Sequence, residues 1–241
     1  MVRRNRRRYG GYIVHVGIAV LFIGVAASAT LQSKRDGVQL QVGQSTVVGG
    51  FTMRYVRATG SVVTDPANTG AVLNIGAVLR VSRGGHYVTT LRPSTGYYPA
   101  AATVIPGQAI ESLIGATAVS QVALHSSLRR DLWASITPRG APLPEEGLIA
   151  GADKVIAKFR PSEQLAVAYY LLANGILKHY LKYPPPATFT LISSPLVMWI
   201  WLGGLIVFLG GLTALWPAPS AIRGRVRARY LARVARELGR A

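Results

Sequence analysis

Tyr12-Ile13-Val14-His15-Val16-Gly17-Ile18-Ala19-Val20-Leu21-Phe22-Ile23-Gly24-Val25-Ala26-Ala27-Ser28-Ala29 contains no aspartate, glutamate, lysine or arginine. As a helix rising about 1.5 Å per residue it reaches about 27 Å, close to the thickness of a bilayer's hydrocarbon core. Leu196 to Trp216 is equally free of formal charge and reaches about 31 Å. Two spans are expected. Trp199 and Trp201 near one end of the second stretch and Trp216 at the other place indole rings where they favour the two headgroup layers. Pro217 and Pro219 then stop the helix.

Orientation follows from the arginines, because short flanking segments rich in Lys and Arg stay on the cytoplasmic side. Arg3, Arg4, Arg6, Arg7 and Arg8 precede the first stretch; Arg223, Arg225, Arg227, Arg229, Arg233, Arg236 and Arg240 follow the second. Both termini are expected in the cytoplasm. The expected order is a basic N-terminus (1–11), a transmembrane helix (12–32), an exported domain (33–192), a second transmembrane helix (193–216) and a basic tail (217–241).

The net charge of +18 is a possible footprint of nucleic-acid binding. Twelve of the 27 basic residues, however, are those in the two tails, where topology and attraction to anionic lipid explain them. Membrane lipid, and no nucleic acid, is the partner expected from charge. In the tail Ile222, Val226, Tyr230, Val234 and Leu238 recur at four-residue spacing, which suits an amphipathic helix on the inner leaflet; a solvated basic tail is the alternative. With no cysteine in the chain, an exported domain lacks disulfides and offers no thiol for redox or metal chemistry. The rival to two spans is a signal peptide, since a basic start, an apolar run and Ala27-Ser28-Ala29 have the form of a cleavable leader, and the paired arginines permit a twin-arginine reading.

Between the spans, apolar and polar residues alternate over 38–42, 44–48, 51–58, 71–82, 86–92, 119–125, 131–137 and 187–192, as expected for half-buried strands. Arg83-Gly84-Gly85-His86 reads as a hairpin turn. Many short strands suggest a small barrel or sandwich. From about 142 to 186 the pattern changes to helical, with Pro161 and Ser162 opening a run in which Leu165, Tyr169, Leu172, Ile176 and Tyr180 share a face. The uncharged part of that run, Leu165 to Leu177, is too short to span, so it is expected at an interface or over the domain. The fold class is therefore an α + β membrane protein: two transmembrane helices bracketing an exported β-rich domain with a helical insertion at about 142–186.

His15 is the residue with chemistry. An ionisable side chain about one turn inside an apolar span is costly unless it lines a site. Gly11, Ala19, Phe22 and Ala26 share its face, while Gly10, Gly17 and Gly24 form a separate stripe suited to close helix packing. A neutral His15 hydrogen-bonded to a neighbouring helix and a haem iron ligand are both compatible with this placement. The other histidines, His86, His125 and His179, fall in the exported segment and lack partners at metal-ligand spacing. Arg130 and Asp131, beside Leu132 and Trp133, are either an exposed ion pair or part of a structural or partner surface. Neither a paired-carboxylate site, a phosphate loop nor a nucleophile elbow is found.

Three blocks carry a family resemblance. Arg8-Tyr9-Gly10-Gly11-Tyr12-Ile13-Val14-His15-Val16-Gly17 resembles the start of a late transmembrane helix of the CcmF family, the haem lyase subunit of bacterial cytochrome c maturation. His125-Ser126-Ser127-Leu128-Arg129-Arg130-Asp131-Leu132-Trp133 is similar to the exported-domain motif of that family, usually Leu-Arg-x-Asp-Leu-Tyr. Pro195-Leu196-Val197-Met198-Trp199-Ile200-Trp201-Leu202-Gly203-Gly204 resembles the start of its final helix. The three fall in the family's order, and the segment at about 142–186 has no counterpart in the resemblance.

The resemblance covers only the C-terminal part of the family, so it implies a fragment or one subunit of a split lyase in the bacterial cytoplasmic (inner) membrane. It implies that His15 is one of two axial ligands of a membrane haem b, with the second ligand on a helix outside this chain. The implied partners are the remaining part of the haem lyase, a haem chaperone and apocytochrome c. The implied reaction joins haem vinyl groups to the thiols of a Cys-x-x-Cys-His motif, with the b haem keeping the substrate iron reduced; this chain is not expected to be catalytic alone. The alternative from a different class is a membrane-anchored extracytoplasmic β domain acting as a structural or interaction module without haem.

Overall fold

A computed structural model describes residues 6–62, 73–98, 117–138, 158, 161–216 and 219–239, without the side chains of 117, 138, 161–169, 172 and 219–228. The chain divides into two units, Leu31–Ser194 and the pair of flanking segments Met1–Thr30 and Pro195–Ala241.

The inner unit is built from strands β1 (Ser33–Leu40), β2 (Ser45–Val48), β3 (Phe51–Val62), β4 (Leu73–Arg83), β5 (His86–Leu91), β6 (Ser94–Tyr98), β7 (Thr117–Gln121), β8 (Ala123–His125), β9 (Arg130–Pro138) and β10 (Ala187–Pro195), with helix α2 (Pro161–Lys182). One sheet runs β1-β10-β9-β8 and the other β2-β3-β4-β6-β7, with β5 also on β4. Residues at every second position meet in one core: Phe51, Met53 and Tyr55 from β3; Ala77, Leu79 and Val81 from β4; Leu132, Ala134 and Ile136 from β9; Ala187, Phe189 and Leu191 from β10. Period-two alternation on both sheets makes this a two-sheet sandwich, since only one face of each strand can leave water. Tyr55 and Phe189 meet edge to face across it, ring centres 5.4 Å apart. The buried Thr95 hydroxyl donates to the Ile136 carbonyl at 2.7 Å, tying β6 to β9.

Two hairpins turn on paired glycines, Gly49-Gly50 (φ 58° and 80°) and Gly84-Gly85 (φ 55° and 82°). Two successive positive φ values define the turn whose twist suits a two-residue hairpin, and glycine reaches them without a Cβ clash. The second is the hairpin expected at 83–86.

Several strand limits differ from the alternation pattern. The described part of β4 starts at Leu73; positions 71–72 lie outside the described residues. β1 begins at Ser33, before the expected 38, because pairing of Ser33 with Ser193 and Lys34 with Ile192 holds the polar stretch Ser33-Lys34-Arg35-Asp36-Gly37 that burial alone would not. The expected 119–125 is two strands on different sheets, separated at Val122. β6 was absent from the pattern. It continues β5 along the same side of β4 beyond Pro93, whose missing N–H breaks a ladder while its carbonyl accepts from Ala77 N–H at 3.0 Å.

The helical expectation over 142–160 falls outside the described residues apart from Lys158, and α2 itself starts at Pro161. Ala173, Ile176 and Tyr180 of α2 are buried, and the helix lies over β3 and β4. At Gly60 an added Cβ would collide with Leu177 and come within 2.6 Å of the Asn74 carbonyl oxygen. The Tyr180 hydroxyl donates to the Gly76 carbonyl at 3.1 Å. Among the described residues the Tyr55 hydroxyl is the buried side-chain polar atom without a hydrogen bond of ordinary geometry, although it lies near the Tyr180 phenol. Burial pushes the phenols of Tyr55, Tyr97 and Tyr180 up from their ordinary range because it penalises the anion.

The second unit contains α1 (Arg6–Thr30), α3 (Val197–Leu215) and α4 (Pro219–Leu238). Both α1 and α3 are long and apolar enough to cross a membrane. They pack antiparallel through glycine. The buried residues of α1 are Gly10, Gly17 and Gly24, and those of α3 are Gly203 and Gly210. A Cβ at Gly10 would lie 2.8 Å from the Gly210 carbonyl oxygen; at Gly17, 2.9 Å from that of Gly203; at Gly24, 3.1 Å from that of Leu196. The partners fall by seven as the α1 positions rise by seven, so a single seam runs the length of both helices. Small residues are what allow such approach where burial of apolar surface gives no drive between helices.

A single residue, Leu196, separates β10 from α3 and caps the helix with φ 56° and ψ 21°. Among the described residues Leu196 is the non-glycine residue with positive φ, a conformation costing about 1–2 kcal/mol for a residue with a Cβ.

Candidate functional site

His15 lies one turn beyond a cluster of aromatic and basic side chains on α1. Arg8 Nε donates to the Tyr12 hydroxyl at 2.8 Å, and its guanidinium sits 5.8 Å from the Tyr12 ring centre. Tyr9 packs edge-on against Tyr12 at 6.4 Å. Three residues at about 1.5 Å each place His15 about 4.5 Å further along the axis.

The imidazole is held by its own helix. His15 Nδ1 lies 2.7 Å from the carbonyl oxygen of Gly11. A carbonyl only accepts, so in the neutral ring Nδ1 carries the hydrogen and Nε2 keeps its lone pair. This backbone contact is the kind that fixes tautomer and orientation in metal-bound histidines. His15, Ala19, Phe22 and Ala26 are exposed, and a Cβ at Gly11 would meet nothing within 4 Å. At 100° per residue this face points about 160° away from the glycine seam. The seam and the His15 face are therefore separate surfaces of one helix.

The donor chemistry of His15 fits one axial position of a haem: a free imidazole nitrogen, an orienting carbonyl and small neighbours. The described residues of its own unit contain no other histidine. His86, His125 and His179 belong to the inner unit, and among the described residues no three His, Cys, Asp or Glu side chains gather as a metal site.

The second group of sequence candidates sits at the start of β9. Asp131 is 8% exposed and accepts from the Ser126 hydroxyl at 3.1 Å and the Ser127 N–H at 3.2 Å. Ser127 also closes the turn, its hydroxyl donating to the Arg130 carbonyl at 2.6 Å. Arg130 reaches a different partner, its Nη1 donating to Ser193 Oγ on β10 at 3.3 Å. Trp133 is half-buried and pairs across β8 with Leu124. Arg130 and Asp131 thus hold two different parts of the sandwich.

Ser193 and Ser194 were missed by sequence reading. Ser193 is fully buried against Arg130 and the Gly49 turn, and Ser194 accepts from Gln32 Nε2 at 2.9 Å. Two adjacent serines, Ser193 and Ser194, where the alternation of Thr188, Phe189, Thr190 and Leu191 ends before Pro195, were the available signal. The Gly203 and Gly210 half of the helix seam was also missed, although its seven-residue spacing matches that of Gly10, Gly17 and Gly24.

No protein-family model matches the sequence. The chain is similar to the cytochrome c-type biogenesis protein CcmF of Escherichia coli (strain K12), with 28% identity over 210 residues, covering 86% of this chain and 22% of that protein. It is 24% identical over 238 residues to CcmF of Pseudomonas aeruginosa, covering 98% of this chain and 25% of the relative. A solved structure described as cytochrome c heme lyase CcmF superposes with a TM-score of 0.51 at 20% identity, over 89% of this chain and 26% of that one. That likeness is one of fold. The chain is CcmF-like and corresponds to a C-terminal part, spanning about a quarter or less of the length of these relatives.

Proposed function

We propose that this chain is one part of a cytochrome c haem lyase, and that His15 supplies one axial ligand of a membrane haem b whose second ligand lies on another chain or segment. In this reading α1 and α3 cross the bacterial inner membrane, both termini are cytoplasmic and the β sandwich is on the outer face. The partners are the remaining part of the lyase, a haem chaperone and apocytochrome c.

The observation that carries the reading is the His15 to Gly11 contact at 2.7 Å, on the exposed face of an apolar helix in a chain similar to CcmF. His15 presents one nitrogen outward while Gly11 fixes the ring. Gly10, Gly17 and Gly24 anchor α1 to α3, which supports a retained helix, because cleavage after Ala29 would remove half of the seam. Haem bound there would supply an electron to the substrate haem iron. The sandwich contributes a cysteine-free surface, so it offers no thiol to compete with those of an apocytochrome.

The test is to purify the full chain together with the rest of the lyase. The complex should show a b-type absorbance band, and His15→Ala should abolish it while the subunits still co-purify. A His15→Ala complex with wild-type haem content overturns the ligand assignment. An assembled wild-type complex without the band favours an interaction module without haem.

A further inference from the structure

Helix α4 (Pro219–Leu238) has no part in the reading above. Its described second half separates cleanly around the axis at 100° per residue. Tyr230, Leu231, Val234 and Leu238 lie within an arc of about 100°, and Arg229, Arg233 and Arg236 within a facing arc of about 60°. Tyr230, Leu231 and Leu238 are 68%, 58% and 73% exposed, so the described residues leave most of the apolar arc uncovered. Arg233 pairs with Glu237 at 3.5 Å; three arginines less one glutamate leave the polar side at +2.

The start of α4 is equally informative. It begins three residues after Trp216, which is 64% exposed and lines with Arg6 and Thr213 an open cleft of about 270 Å³ between the adjacent ends of α1 and α3. Arg8 and Tyr12 occupy the same end. Aromatic and basic side chains collected at one end of two apolar helices mark a headgroup layer. The three-residue link holds the start of α4 at that layer, and the two arcs decide how its second half lies.

We infer that residues 229–238 lie in the plane of an anionic leaflet, with Tyr230, Leu231, Val234 and Leu238 below the lipid phosphates and Arg229, Arg233 and Arg236 facing them. The occupant is lipid, because the two arcs match the two layers of a leaflet surface: acyl chains for the apolar arc, phosphate for the basic one. This inference rests on α1 and α3 crossing a bilayer and is independent of haem.

The absence of cysteine makes the test direct. Single substitutions Arg229→Cys, Tyr230→Cys, Leu231→Cys, Arg233→Cys, Val234→Cys, Arg236→Cys and Leu238→Cys in the full chain carry a spin label after reconstitution into phosphatidylcholine vesicles with or without phosphatidylglycerol. With phosphatidylglycerol, accessibility to oxygen should peak at 230, 231, 234 and 238, and accessibility to a water-soluble nickel complex at 229, 233 and 236. The contrast should be lost without the anionic lipid or at high salt. Aqueous accessibility at all seven positions overturns the inference in favour of a solvated tail. Protection of the apolar arc that is indifferent to lipid charge and salt overturns it in favour of a protein contact. Val20→Cys in α1 is the control: if it is aqueous, the spanning reading itself has failed.

Discussion

Nδ1 of His15 and the carbonyl oxygen of Gly11 lie 2.7 Å apart on the outward face of α1, opposite the row where Gly17 meets Gly203. The helix therefore uses glycine in two ways. At Gly17 the absent side chain admits the backbone of α3, whereas at Gly11 the space is open and the carbonyl is what matters.

Gly11→Ala and Gly17→Ala should consequently differ. Gly11→Ala meets nothing within 4 Å and should leave thermal stability in detergent unchanged or raise it by up to about 1 kcal/mol, the helix-propensity gain of alanine over glycine. Gly17→Ala would bring a Cβ to 2.7 Å from Val207 N and should cost about 1–3 kcal/mol through overpacking. Equal melting temperatures for the two variants would show that the helices do not pack through this row.

Asp131→Ala removes the acceptor for the Ser126 hydroxyl and the Ser127 N–H. A part-buried donor left unpaired costs about 1–3 kcal/mol, and denaturant unfolding of the full chain should register that loss. Asp131→Asn keeps an acceptor and should lose less. If Asp131→Asn folds normally yet blocks cytochrome c assembly, Asp131 also serves a partner surface; if Asp131→Ala leaves both unchanged, it does neither.

Tyr55 and Tyr180 should respond in opposite ways to loss of the hydroxyl. Tyr180→Phe breaks the bond to the Gly76 carbonyl and should destabilise by about 1 kcal/mol. Tyr55→Phe removes a buried hydroxyl without a hydrogen bond of ordinary geometry and should be neutral or slightly stabilising. Unfolding midpoints of the two variants under one condition decide this.

Alkaline pH should unfold the sandwich. Tyr55, Tyr97 and Tyr180 all have folded values raised above 10.0 by burial. The native state then holds its phenolic protons when the unfolded chain releases them, so this stabilisation is full below about pH 10 and is lost as pH rises beyond it. Tyrosinate absorbance should appear together with unfolding for these residues. Their titration in a still-folded sandwich would contradict the burial argument.

Hydropathy made the two apolar helices legible, and alternation did the same for β9, β10 and the first part of β3, up to its register shift after Tyr55, whereas β4 is buried at every position from Ile75 to Leu79. β6 was hidden because Ser94-Thr95-Gly96 is too polar to signal burial, yet Thr95 is buried through a hydrogen bond to Ile136. The start of β1 was hidden for a related reason: its charged side chains remain exposed while its backbone pairs with β10. His15 stood out as an ionisable residue in an apolar run, but its outward face and its contact with Gly11 required coordinates. Arg130 and Asp131 read as a possible ion pair by adjacency, whereas consecutive strand residues point to opposite sides and find different partners.

Pairing of Ser33 with Ser193 brings the first and last strands of the sandwich side by side, with Cα atoms about 5 Å apart as in any antiparallel ladder. A domain whose two ends meet in this way is a cassette: it can be lifted out between Leu31 and Ser194 and its place closed by a short loop, leaving an uninterrupted helical hairpin. The same geometry lets the cassette be produced alone with its ends joined, and lets unrelated cassettes with adjacent termini be exchanged for it. Insertion and removal at this junction are thus cheap in chain entropy.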